Sequence, residues 1–114
     1  MGDSEGESRK QVRLQTVKRK LIVRPLALRE LEEAITWYED SEPGLGRRFL
    51  DEVRHTIERM IENPGQFPCW RGMFQRAVLR TFPFGLHYRT QGEDIVLVAV
   101  YHTSRDPARL LHRR

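Results

Sequence analysis

The second half of the chain carries the residues that could act on a phosphate. Arg76, Arg80, Arg89, Arg105 and Arg109 are permanent cations, His87 and His102 offer imidazoles, and Tyr101 offers a phenol. Cutting RNA without a metal needs a base for the 2′-hydroxyl, a cation for the charge that builds around phosphorus, and an acid for the leaving oxygen. His87 or His102 could be base or acid, Tyr101 an acid, and Arg80, Arg89 or Arg105 the stabilising cation. This half holds only three carboxylates: Glu93 and Asp94 fall at a hairpin tip, and Asp106 reads as a helix cap. The same set suits plain recognition of an anionic surface, since clustered arginines bind phosphate through counterion release, and it also suits an acidic segment of a partner protein.

No metal or other cofactor is called for. The histidines His55, His87, His102 and His112 lack zinc-site spacing, and the only cysteine, Cys69, has neither a disulfide partner nor an activating neighbourhood beyond Arg71. A lone cysteine suits a reducing compartment. The longest apolar run, Ile95 to Tyr101, is far short of the roughly 20 residues of a membrane-spanning helix. The basic Lys18-Arg19-Lys20 is followed by only three apolar residues before Arg24-Pro25, too few for a secretion signal. A cytoplasmic protein is expected.

The elements that must position these residues follow from periodicity. Residues 1–18 show little apolar periodicity and read as a flexible tail, although Val12, Leu14 and Thr16 alternate; residues 19–114 read as one domain. Lys20 to Arg24 predicts a short strand closed by Pro25. Leu28, Leu31, Ile35 and Tyr38 predict a first amphipathic helix from Ala27 to Asp40. After the break at Ser41 to Gly46, residues Phe49, Leu50, Val53, Ile57, Met60 and Ile61 predict a second, ended by Asn63-Pro64-Gly65. So short a link demands an antiparallel helical hairpin. Arg76 to Phe82, Phe84 to Thr90 and Ile95 to Tyr101 predict three strands in an antiparallel meander, the last buried on both faces. Asp106-Pro107 predicts a capped terminal turn through Leu110 and Leu111.

The expected fold is α+β, in the order β-α-α-β-β-β, with the hairpin laid on one face of a four-stranded, mainly antiparallel sheet. Alternation then puts Arg76 and Arg80 on one face of their strand and His87 and Arg89 on one face of the next, with His102, Arg105 and Arg109 arriving beyond the last strand. The expectation is a flat or concave basic surface on the face the helices leave open.

Charge supports this division. The net charge of +4 splits into six basic and three acidic residues in 1–20, six arginines against ten acids in 21–63, and eight arginines against three acids in 64–114. No lysine follows Lys20. Arginine favours planar recognition of carboxylate or phosphate over proton transfer.

Leu21 to Ala27 leading into Leu31-Glu32-Glu33-Ala34-Ile35, then Arg48 to Val53 and Ile61-Glu62-Asn63-Pro64, resemble the helical hairpin of ParE-type toxins. Phe84 to Arg89, Val96 to His102 and Ser104 to Pro107 look like the same family's sheet and C-terminus, so the likeness spans about residues 20–112. The resemblance implies the RelE/ParE superfamily fold, a cognate antitoxin, a role in maintaining plasmids or chromosomal segments, and growth arrest through DNA gyrase. The implied action is non-enzymatic binding to gyrase. The alternative, from RelE-like relatives, is a metal-independent, ribosome-dependent mRNA endonuclease using Arg80, Arg89, His102 and Arg105. This chain departs from the nuclease pattern, with no core lysine and no glutamate between Pro64 and Arg76. Target binding is accordingly assigned to Arg76, Arg80, His87, Arg89, His102, Arg105 and Arg109, and antitoxin binding to Leu31, Ile35, Tyr38, Phe49 and Val53. Either a homodimer or a toxin–antitoxin hetero-oligomer is compatible with this reading.

Overall fold

Pro25 sets the first corner of the molecule. Residues 19–105, 110, 112 and 113 are described by the computed structural model, in which strand β1 (Leu21–Val23) turns at once into helix α1 (Pro25–Ser41). Proline has no amide hydrogen and a preset φ, so it fits the first helical turn, and it holds Arg24 extended before it. The inward stripe of α1 is Ala27, Leu31, Ala34, Ile35 and Tyr38. Leu28, counted with the core by its spacing, lies off that stripe and is 45% exposed.

α1 ends where Glu42 turns extended, and Gly44 takes a left-handed φ of 90° that leads into helix α2 (Leu45–Glu62). The Glu39 carboxylate of α1 reaches across to accept the N–H groups of Gly44 at 2.9 Å and Gly46 at 3.0 Å, which caps α2. A Cβ at Gly46 would stand 2.7 Å from the Ile35 carbonyl oxygen, so the helices meet backbone to backbone here. α2 buries Gly46, Phe49, Val53, Thr56 and Met60 on one face.

Past a 3-10 turn at Pro64–Gln66, four strands follow: β2 (Cys69–Arg71), β3 (Phe74–Val78), β4 (Phe84–Gln91) and β5 (Asp94–His102). The sheet order is β1-β5-β4-β3-β2, with β1 parallel to β5 and every other pair antiparallel. The α+β hairpin-on-sheet architecture is as expected, but the sheet has five strands rather than four. The additional strand β2 is three residues long and pairs with a register shift, so Phe67-Pro68-Cys69-Trp70 shows no alternation to read.

The β3 boundary also moves, from Arg76–Phe82 to Phe74–Val78. The chain leaves the sheet because Glu52 of α2 grips the next segment: its carboxylate accepts the amides of Arg80 and Thr81 and the Thr81 hydroxyl. Burial alone would raise the Glu52 carboxyl, but these hydrogen bonds and the Arg80 charge outweigh it and lower the pKa.

Apolar side chains occupy both faces of the sheet. Between sheet and hairpin, Phe49, Val53 and Met60 pack on Leu86, Tyr88, Leu97 and Val100. On the opposite face a second cluster joins Phe74, Val96, Val98, Ala99, Tyr101 and Leu110, with Trp70 and Ile22 against it. Ile95 to Tyr101 is therefore buried throughout, in agreement with its uninterrupted apolar run. No helix among the described residues is long and apolar enough to cross a membrane.

Candidate functional site

The face away from the helices does present Arg76, His87 and Arg89, and Arg76 sits directly opposite His87 in the β3–β4 register. It is not an open basic plate. Trp70 and Leu110 help close it, and His87 is only 2% exposed. The imidazole lies between Trp70, 4.9 Å away, and Tyr101, 5.3 Å away, as ring centroids. Burial, assisted by the Arg76 and Arg113 charges and opposed by Glu30, pushes its pKa down to about 4. The His87 Nδ1 and the Tyr101 hydroxyl are both buried without a hydrogen-bond partner among the described residues. His87 is thus a neutral core residue, which corrects its assignment to target contact, and the Tyr101 phenol is equally enclosed.

The arginines expected to converge do not gather on one surface. Arg76 holds its guanidinium 4.9 Å over the Trp70 ring, its stem filling the space beside Gly85, where a Cβ would come within 3.1 Å of it. Arg89, two residues beyond His87 on the same face, donates to Gln91 Oε1 at 3.0 Å. Arg80 is exposed on the turn that Glu52 anchors, at the α2 side of the molecule. Arg105 and Arg113 hold their guanidinium carbons 4.3 and 5.0 Å from the centroid of the Tyr101 ring and share one acid of the hairpin, Glu30, at 3.2 and 2.8 Å. Its hydrogen bond to Glu30 raises the Arg113 pKa further. Arg109 and the turn at Asp106-Pro107 fall outside the described residues.

His102 is exposed at the end of β5, and its Nδ1 faces the Ser104 amide at 3.1 Å and the Ser104 hydroxyl at 2.8 Å. An N–H donated to Nδ1 leaves the proton of the neutral ring on Nε2, so Nε2–H is the group His102 can offer. It shares with Arg105 a shallow groove of about 230 Å³ that also holds Glu30 and Glu33. Two carboxylates there oppose the approach of a phosphate. Among the described residues no group of histidine, cysteine and acids is placed to hold a metal ion.

The residues assigned to antitoxin contact are core residues. Phe49 and Val53 are fully buried and Tyr38 nearly so, within an aromatic cluster that includes Phe82 and Phe84; Leu31 and Ile35 pack against it. A partner could reach Phe49 or Val53 only by opening the domain. The apolar groups that α1 does offer are Leu26, Leu28 and Trp37, the last 65% exposed.

Glu30, Trp70 and Arg113 organise this region, and the sequence assigns a site role to none of the three. Glu30 reads as one more acid on a helix face, Trp70 sits in a stretch without periodicity, and Arg113 lies in a terminal segment with no motif.

Comparison with known proteins agrees with the architecture. The family described as "ParE toxin of type II toxin-antitoxin system, parDE" matches residues 21–107. No curated protein matches the sequence. Among solved structures, one described as the chromosomal ParDE TA system from P. aeruginosa superposes with a TM-score of 0.65 at 13% identity, over 75% of this chain and 96% of that one. At that identity the likeness speaks for the fold alone, but the family match covers most of the chain: this protein belongs to the ParE toxins of type II toxin–antitoxin systems.

Proposed function

We propose that this toxin acts by binding rather than by catalysis, that its target is DNA gyrase, and that a cognate antitoxin neutralises it. The observation that carries the non-catalytic reading is the fate of the proton-transfer groups: His87 and Tyr101 are enclosed in the second apolar layer, away from any substrate. The charged groups left partly exposed on β3 and β4 suit recognition, with Arg76 stacked on Trp70 and Arg89 beside Gln91. Purified toxin incubated with gyrase and supercoiled DNA should inhibit supercoiling or accumulate linear DNA, and the double variant Arg76→Ala/Arg89→Ala should lose at least ten-fold in potency, the roughly 1.4 kcal/mol expected for two partly desolvated charges. Absence of both effects with the wild-type toxin would reject gyrase as target.

A second reading, ribosome-dependent mRNA cleavage, is favoured by one feature: His102 Nε2–H and Arg105 border the same groove. It predicts in-frame mRNA cuts by primer extension after induction, abolished in His102→Ala. Growth arrest with intact message would leave the binding reading in place.

A further inference from the structure

β5 outruns its neighbour. The last backbone bond from the β1 side is the Arg24 amide to the Leu97 carbonyl at 3.0 Å, after which Pro25 carries the chain into α1. Leu97 pairs with Tyr88 and Ala99 with His87, so Val98 is an extra residue with no partner of its own on β4. This bulge shifts which backbone groups point outward, and beyond it Val98 and Val100 present theirs along the edge that β1 has left.

Side chains close this edge. Arg113 Nη1 donates to the Val98 carbonyl at 2.8 Å, and the Val100 amide donates to Glu30 Oε1 at 3.0 Å. The same carboxylate accepts Arg113 at 3.0 and 2.8 Å and Arg105 at 3.2 Å. The Glu30 and Arg113 side chains are only 12% and 15% exposed. One carboxylate therefore accepts the Val100 amide, Arg105 and Arg113, donors that an incoming carboxylate or peptide carbonyl would seek at this edge.

Open grooves flank the seal. One of about 370 Å³ runs beside Arg24, Leu26 and Val98, and one of about 570 Å³ beside Arg29 and Arg105; Arg113 and His112 wall both. Their acids are Glu30, already engaged, and Glu33, against four arginines. Leu26, 47% exposed, supplies an apolar wall.

We infer that Glu30 is the internal occupant of a peptide-binding edge, and that an extended, acidic segment of a partner protein displaces it, adding a strand beside Val98–Val100 with its carboxylates on Arg105 and Arg113. A strand satisfies both the Val98 carbonyl and the Val100 amide, a donor–acceptor pairing that the phosphates of a nucleic acid cannot supply. The inference rests on the toxin–antitoxin reading only for the identity of the natural partner, the antitoxin.

The test uses the full chain and a fluorescein-labelled peptide alternating valine and glutamate, with a valine–lysine peptide as control. The acidic peptide should bind the wild-type toxin weakly and perturb the Val98, Ala99 and Val100 amide resonances. Glu30→Gln keeps the shape but weakens the internal competitor, so it should bind roughly ten-fold tighter, because apparent affinity scales with the fraction of open edge. Arg113→Ala should weaken binding. Unchanged or weaker affinity in Glu30→Gln, perturbation elsewhere on the wild-type chain, equal binding of the lysine peptide, or equal competition by oligothymidylate would each overturn the inference. Because the wild-type resonances report independently, a poorly folded variant does not rescue it. Toxicity relieved by the antitoxin while this edge stays unperturbed would sink the docking site and spare the toxin–antitoxin reading.

Discussion

The buried imidazole of His87 makes a quantitative prediction about stability and pH. The fold accepts only the neutral ring, since the site is 2% exposed and Nδ1 has no partner, and the pKa falls from 6.5 to about 4. Below 6.5 protons therefore go preferentially to the unfolded chain. The stabilising effect is complete above that value, declines as pH falls, and is exhausted below about 4. The gap of about 2.5 pH units corresponds to about 3 kcal/mol in total, and to about 2.5 kcal/mol between pH 7 and about pH 4.5. Urea unfolding followed by tryptophan fluorescence at those two pH values, for wild type and for His87→Phe, isolates the term. The pH dependence that Glu52 contributes is common to both chains and drops out of the difference. Phenylalanine keeps a flat ring between Trp70 and Tyr101 and forfeits no hydrogen bond at Nδ1. Wild type should lose about 2 to 3 kcal/mol more than the variant on acidification. Equal losses would refute the claim that the imidazole is held neutral in the core.

Other substitutions probe the scaffold. Gly46→Ala drives a Cβ to within 2.7 Å of the Ile35 carbonyl and should destabilise by about 1–3 kcal/mol, read as a lowered Tm. Glu39→Ala uncaps α2 at Gly44 and Gly46 and should cost about 0.5–2 kcal/mol by urea titration. Glu52→Ala frees the amides of Arg80 and Thr81 and should cost about 1–3 kcal/mol, with faster hydrogen exchange at Thr81 as its local signature.

Periodicity made the scaffold legible because the helices and the long strands each bury one defined pattern. The stripe through Phe49, Val53 and Met60 and the apolar run of β5 determine layer and order before any tertiary contact is known. β2 was not legible, because three residues and a register shift leave no pattern to detect. The site was harder for a different reason. Alternation correctly put Arg76, His87 and Arg89 on one face, yet it cannot say whether that face is solvent or a second core. That depends on Trp70 and Leu110, whose positions come from tertiary packing. The same limit holds for Phe49 and Val53, which lie in the core: an apolar helix stripe looks the same whether it meets a sheet or another protein.

The second apolar layer also bears on how the toxin works. Leaving His87 Nδ1 and the Tyr101 hydroxyl buried without partners costs about 1–3 kcal/mol for each, a burden a purely structural core would shed by using phenylalanine at both positions. At Tyr101 the ring itself has a role, since the guanidinium carbons of Arg105 and Arg113 lie 4.3 and 5.0 Å from its centroid. Tyr101 and Glu30 thus contact the same two cations. If an acidic strand takes the place of Glu30 as proposed, these arginines, already oriented by the Tyr101 ring, would need little further ordering to meet it.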